Sequence, residues 1–469
     1  MKIFVAIASY GTGNDRYLTQ LVNEYQSMAF DVDVVVLSNI HKALIPGVEC
    51  VVVDLDGKNP WSLPFPHKQI FADRLNDYDL FIYSEDDTPI TENNIRAFLE
   101  VSETLSENEV VGFLRFERGP DDSLNYPEVH GHFHWDPLSV HSRGKYTLAH
   151  FTNEHSACYA LTRQQLKRAI DSGGFLVEPH AGKYDLLCSA ATDPYTQCGF
   201  QKLICISHLN DFLVHHLPNK YVGTKFGVDQ AELRRQVNCL LNIGQNGHRP
   251  ASLFATETKL TDGWYSKDYY EPVNPEVVSL VPAEARTILS IGCGWGAMEA
   301  FLAEKGLLVT ALPLDPVIPG GAEAKHVEIV NGDFARARAK LAGRQFDCLL
   351  LSNVLHLVQD PVDVLSSFRE FLSNGSPVIV SVPNLTRIPA MWGRVRGDKR
   401  FKDFGDFEAT GVHQTSHTIL RSWLQSARMK VETMIDVVPQ RAEAAGRLSF
   451  GILSPVLACE FITLARKMD

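Results

Sequence analysis

Thr287-Ile288-Leu289-Ser290-Ile291-Gly292-Cys293-Gly294-Trp295-Gly296 is an apolar run that ends in three alternate glycines, and residues 297–305 follow it as a helix-like stretch. A strand, a glycine turn and a helix in direct succession is a nucleotide-binding arrangement. Glycine lets the backbone turn with no Cβ in the way, and the space left over suits a flat adenosyl group or a phosphate at the helix N-terminus. The third glycine arrives one residue too early for the Gly-x-Gly-x-x-Gly dinucleotide fingerprint. An ordinary glycine-rich turn with no ligand is the plain alternative.

Further apolar runs follow at Leu307–Leu312, His326–Val330, Phe346–Leu351 and Pro377–Val382, separated by helical stretches. This alternation predicts a parallel, doubly wound sheet. Runs at Lys430–Val437 and Cys459–Leu464 complete a set of seven strands. With the Trp264-Tyr265…Tyr269-Tyr270 lead-in and the stretch from Gly411 to His417, residues 264–469 resemble a class I S-adenosylmethionine (SAM) methyltransferase. The resemblance implies that Gly292, Gly294 and Gly296 cradle the cofactor, with Asp333 and Asn353 at the ends of the third and fourth strands. The family places an acidic residue at the end of strand two to grip the ribose. Pro313 stands there, and Asp315, two residues on, is the substitute if the loop bends back. A turn residue is the bland reading of Asp333. His356 and His417 are the candidate proton acceptors for a sugar hydroxyl, and packed structural histidines are their bland reading.

At 469 residues the chain exceeds such a domain about twofold, and a soft prior of about 150 residues per domain predicts two or three units. A net charge of −12 argues against a nucleic-acid partner. The sequence contains no apolar run of about 18 residues, so no membrane span is expected. Residues 1–10 read as a strand rather than a signal peptide. Nine cysteines without a CxxC pair point to reduced thiols and a cytoplasmic location. The turn-forming stretch Gly244-Gln245-Asn246-Gly247 sets a linker at 243–262, after a first domain over 1–242 and before a second over 263–469.

The first domain also alternates: strands at Ile3–Ser9, Asp33–Ser38, Val51–Asp54 and Leu80–Tyr83, with helices at Arg16–Met28 and Phe71–Leu75. The fourth strand stops at Ser84-Glu85-Asp86-Asp87-Thr88. Adjacent carboxylates repel, and a hard divalent cation with oxygen ligands relieves the repulsion. The pattern resembles the Asp-x-Asp signature of GT-A glycosyltransferases, which implies a Mn²⁺ or Mg²⁺ ion bridging the diphosphate of a nucleotide-sugar. The resemblance implies Asp87 as the direct ligand, Glu85 or Asp86 facing the ribose or the metal, and His216 or His215 (from Asp211–Pro218) completing the shell. A solvated acidic turn or a helix cap is the bland reading. His130-Gly131-His132-Phe133-His134-Trp135 alternates like a strand, which would set three imidazoles on one face as an acceptor-sugar surface. Glu154 and Asp193 are candidates for the group facing the reacting sugar, one of them as general base if the reaction inverts.

The expectation is an α/β chain of two domains. A GT-A-like unit transfers sugar from a nucleotide-sugar donor to a glycan acceptor, and a seven-stranded Rossmann-like unit methylates a glycan hydroxyl. In the alternative reading the first unit is a catalytically silent carbohydrate-binding module. In another, Pro313 marks a methyltransferase fold that serves as a scaffold.

Overall fold

Ile3 to Ala8 are buried without interruption, the mark of a central strand covered on both faces. This strand, β1 (Lys2–Ser9), pairs in parallel with β2 (Asp31–Ser38) and with β4 (Leu80–Glu85). β3 (Val48–Val52) and the antiparallel β5 (Cys158–Thr162) close the edges, giving the order β5-β4-β1-β2-β3. The helix Asp15–Ser27 buries Leu18, Leu21, Val22 and Tyr25, the stripe a surface helix lays on a sheet. Two smaller four-stranded sheets complete this unit. The first runs through Glu109–Val111, Gln201–Cys205, Tyr146–Phe151 and Trp135–Arg143. The second runs through Leu213–His215, Leu114–Arg118, Leu124–Tyr126 and Val228–Asp229.

The structure, a computed structural model, describes residues 1–43, 47–55, 57–247, 249–386, 406–440 and 454–469. The chain divides into Met1–Arg249 and Pro250–Asp469. The segment 243–262 is not a free linker. Residues up to Asn246 belong to the helix Gln230–Asn246, which stops at Gly247 with φ +66°. Leu253 donates its N–H to the Leu314 carbonyl at 2.8 Å and so belongs to the second unit.

Among the described residues the second unit forms one sheet of β6 (Thr287–Cys293), β7 (Leu308–Pro313), β8 (Glu328–Ile329), β9 (Cys348–Ser352), β10 (Pro377–Pro383), β11 (Met429–Val437) and β12 (Glu460–Lys467). The order is β8-β7-β6-β9-β10-β12-β11, parallel except around β12. The seven strands fall where the apolar runs predict. The 253–271 segment lies against the carboxyl-end rim: Trp295 donates its N–H to the Tyr269 carbonyl at 2.6 Å. All nine cysteines are free thiols. Among the described residues no helix is long and apolar enough to cross a membrane.

His67 lies wholly buried in the first unit's core. It stacks 4.2 Å from the Tyr83 ring and bonds the Pro64 carbonyl and the Tyr159 hydroxyl. Burial, aided by the Lys68 charge, holds its pKa near about 3; burial likewise brings His155 and His356 to about 3. An unfolded histidine takes its proton near 6.5, where these native imidazoles refuse it. The stability they contribute is complete above about pH 6.5 and is lost as the pH falls from there towards 3. Denaturant titrations across that window should show falling midpoints, with a shallower dependence in His67→Gln.

Candidate functional site

Ligands of doubly wound sheets bind beyond the carboxyl ends of the strands, where the strand order reverses. In the second unit that point lies between β6 and β9, flanked by Gly292–Gly296 and Asn353–His356. The glycines there leave no room for a side chain. A Cβ on Gly292 (φ +81°) would lie 2.2 Å from Val354 Cγ2, and one on Gly294 would lie 2.3 Å from the Tyr269 carbonyl oxygen. Gly296 (φ +95°) opens the helix Ala297–Glu304, and a Cβ on it would lie 2.5 Å from Ala322 Cβ. All three positions exclude side chains because other parts of the chain press on the turn.

Asp315, two residues past β7, holds the turn that follows it. Its residue is 2% exposed, and Oδ1 accepts the N–H groups of Val317 and Ile318 at 2.6 and 2.9 Å. Asp333 is the N-cap of Phe334–Leu341, accepting the Arg336 N–H at 2.9 Å, so its turn reading holds. Among the buried acceptors that lack a hydrogen-bond partner in the described residues are Asn331 Oδ1, just after β8, and Asn353 Oδ1, just after β9. They match the donors SAM presents, an adenine amine at one end and an α-ammonium at the other. The cofactor therefore fits the rim through these amides.

The Asn353 amide joins a polar cluster that neither motif nor spacing marks in the sequence. Its Nδ2 donates to Glu271 at 3.1 Å and to Glu460 at 3.3 Å. The buried Lys267 ammonium donates to Glu271 and, at 2.7 Å, to the Ser352 carbonyl. Burial pushes both Glu271 and Glu460 above the usual carboxylate range. His356 is not placed as a base: it is 2% exposed, its Nε2 donates to the Tyr265 carbonyl at 2.9 Å, and burial makes its Nδ1 a weak proton acceptor. His417 remains a candidate. Its Nε2 meets Asp436 Oδ1 at 2.5 Å, and its ring packs 4.3 Å from Phe461. A carboxylate partner is what orients a catalytic imidazole.

In the first unit the order reverses between β1 and β4, and the acidic triplet stands there. Asp86 accepts from Ser9 Oγ at 2.6 Å and from Asn14 Nδ2 at 2.7 Å, and Asn14 also reaches Asp87 at 3.3 Å. Burial raises the Asp86 pKa to about 6 and, with Asp87 beside it, that of Glu85 to about 7. Burial also works against ionised Asp87, but the hydrogen bond and charge of His216 outweigh it and bring its pKa below the usual value. His216 Nε2 lies 3.6 Å from Asp87, and its Nδ1 bonds Glu117 at 2.6 Å.

The expected metal set of Glu85, Asp87 and His216 does not assemble. Among the described residues no three His, Cys, Asp or Glu side chains converge to hold an ion. Glu85 Oε1 instead faces His155 Nε2 at 3.8 Å, because the Glu85 N–H is tied to the Ala157 carbonyl beside β5. Asp193 does not face a substrate either. It is wholly buried, paired with the buried Lys68 and 3.3 Å from His180. Glu154 is held by the Tyr184 hydroxyl at 2.7 Å and Lys183 at 2.9 Å. The three histidines do not alternate on a strand: 130–134 is a loop that precedes the strand starting at Trp135. Arg115, Glu117, Glu128 and His155, brought alongside from distant segments, carry no motif that sequence reading detects.

Two substitutions test these packing roles. Asp193→Ala leaves the Lys68 charge buried and unpaired and should cost the first unit about 3–5 kcal/mol in urea unfolding. Gly294→Ala forces a methyl group against the Tyr269 backbone and should lower the second unit's unfolding free energy by about 2 kcal/mol.

Residues 266–433 match the family model described as a methyltransferase domain. Ubiquinone biosynthesis O-methyltransferase of Xanthomonas axonopodis pv. citri is 27% identical over 197 residues, 38% of this chain and 77% of that protein. The enzyme of the same name from Xylella fastidiosa is 26% identical over 189 residues, 37% and 75% of the two chains. A SAM-dependent methyltransferase structure from Mesorhizobium loti aligns at 19% identity with a TM-score of 0.30, covering 41% of this chain and 96% of that one. Magnesium protoporphyrin IX methyltransferase from Synechocystis PCC 6803, with bound SAH, aligns at 16% identity and a TM-score of 0.30, covering 41% and 80%. The second unit, built on the switch point between β6 and β9, is a class I SAM-dependent methyltransferase domain.

Proposed function

We propose that the chain is a bifunctional transferase of glycan biosynthesis, passing a sugar from a nucleotide-sugar in the first unit and a methyl group to a glycan hydroxyl in the second. The observation that carries the first half is the buried Ser9–Asp86–Asn14–Asp87 network at the β1/β4 switch point. The carboxyl ends of parallel strands are where such sheets take nucleotides. Asp87 and His216 suit a divalent cation that draws its other ligands from water and a diphosphate, since Mg²⁺ sites use one or two carboxylates rather than a full protein cage. A histidine ligand commonly donates its other ring N–H to a carboxylate, the bond His216 makes with Glu117. Such an ion would neutralise charge on the leaving diphosphate.

In the second unit SAM supplies an electrophilic methyl group. Asn331 and Asn353 accept its donors, while Lys267, Glu271 and Glu460 hold the Asn353 amide in place. His417, oriented by Asp436, takes the proton from the acceptor hydroxyl. Methyl transfer is an in-line displacement, so holding the two reactants in line provides much of the rate. A cytoplasmic location and a glycan acceptor belong to the same proposal.

One observation favours the alternative, a methyltransferase with a silent sugar-binding unit: Glu85 turns to His155 rather than joining Asp87 and His216.

Mass spectrometry of glycan acceptors incubated with a nucleotide-sugar panel, Mn²⁺ and SAM separates the two readings. The bifunctional reading requires both a sugar and a methyl increment, with Asp87→Asn abolishing the first and sparing the second. A methyl increment alone supports the silent unit. His417→Asn should lower kcat/KM for methyl transfer by about 10²-fold or more without displacing SAM. Calorimetry should show SAM binding at the micromolar level, about −8 kcal/mol; absence of binding would leave the second unit as a scaffold.

A further inference from the structure

Next to His155 the first unit holds an open-mouthed cavity of about 250 Å³ to which no role has yet been given. Its volume falls just under the ~300–1,000 Å³ of pockets that enclose drug-sized ligands, which suits a single ring. Phe133 and Tyr184 lie nearly parallel, 11° apart with centroids at 6.1 Å, and form an apolar wall. Phe226 stands edge-on to His130 at 5.0 Å and to Tyr221 at 5.8 Å. Arg115, Asn153 and His155 add polar groups to the lining. Rings beside hydrogen-bonding edges are what a pyranose needs, since it turns C–H groups to one side and hydroxyls to the rim.

The polar groups point to a particular ligand chemistry. Among the described residues, Glu85 Oε1, Glu128 Oε2 and His155 Nε2 are buried with no hydrogen-bond partner. His155 lines the cavity, Glu85 lies 3.8 Å behind it, and Glu128 is the ion-pair partner of the lining Arg115. Of the three, the His155 imidazole belongs to the lining, and a ligand hydroxyl provides the partner that its Nε2 lacks. Arg115 is the cation in the wall, and its charge is already taken by Glu128, whose side chain is 1% exposed. The carboxyl groups of Glu85 and Glu128 lie behind the lining and disfavour a ligand carboxylate in the cavity.

We propose that this cavity binds one neutral pyranose ring. As a seat for the sugar acceptor it rests on the glycosyl-transfer reading. As a sugar-binding site it stands without that reading, because its aromatic walls and the unpartnered His155 Nε2 do not depend on the donor.

Saturation-transfer NMR on the full chain, without nucleotide or metal, tests it. The probes are the methyl α-glycosides of glucose, galactose and mannose, and of glucuronic acid. Transfer to at least one neutral glycoside, stronger than to the glucuronide, is expected. Phe226 is 37% exposed, so Phe226→Ala should fold normally, which circular dichroism checks; it should weaken binding about tenfold. His155→Gln gives a second variant for the same loss. No transfer to any neutral glycoside, a preference for the glucuronide, or binding unchanged in both variants would overturn the proposal. A parallel titration with UDP, comparing the parent with Asp86→Ala, keeps the two ideas apart. Nucleotide binding without sugar binding refutes the cavity alone, and sugar binding without nucleotide binding refutes the donor site alone.

Discussion

The pairing that sets Ala8 opposite Glu85 across β1 and β4 is the constraint on which the first unit's chemistry depends. Parallel strands in that register end together, so Ser9 and Asn14 meet Asp86 and Asp87 although some seventy residues separate them. Side chains on a strand alternate between faces, so a slip of one residue would turn the carboxylates away from both partners. The antiparallel strand β5 lies on the other side of β4. By holding the Glu85 N–H against the Ala157 carbonyl it brings His155 beside the first carboxylate of the triplet. One strand end thus serves two neighbours: Asp86 and Asp87 face the β1 side, and Glu85 turns to His155.

Burial gives these groups their electrostatic character. Three adjacent carboxyl groups in water would all ionise near pH 4. Here Asp86 and Glu85 are pushed up to about 6 and about 7, while Asp87, next to His216, goes the other way. The charge is thereby concentrated on the carboxylate whose histidine neighbour is itself fixed by Glu117. The Lys68–Asp193 pair lies deeper still. Removing either partner would strand a charge in the core, so it reads as part of the framework.

The second unit shows the same logic in a more crowded form. Its glycine turn is pressed by Tyr269, Val354 and Ala322, so glycine is demanded there by the chain's own approach. The polar rim is drawn from both ends of the unit: Lys267 and Glu271 precede the first strand, and Glu460 begins the last. Asn353, with φ +51°, ties them together. An asparagine tolerates that left-handed backbone better than most residues.

The alternation of apolar runs and helical stretches was enough to set both doubly wound sheets, because burial on two faces leaves a strand no choice but continuous hydrophobicity. It also marked Ser84–Thr88 and Gly292–Gly296, since a carboxylate triplet or a glycine turn after such a strand is legible in one dimension. The roles of single residues were not legible in this way. Asp193, Asp333 and His356 each carry the right chemistry in the sequence, and the fold spends it on an ion pair, a helix cap and a packed imidazole. Lys267, Glu271, Glu460, His155 and Arg115 acquire their surroundings from segments far along the chain. The direction a side chain faces, and whether its charge already has a partner, depend on contacts between distant segments. Only the tertiary structure decides those contacts.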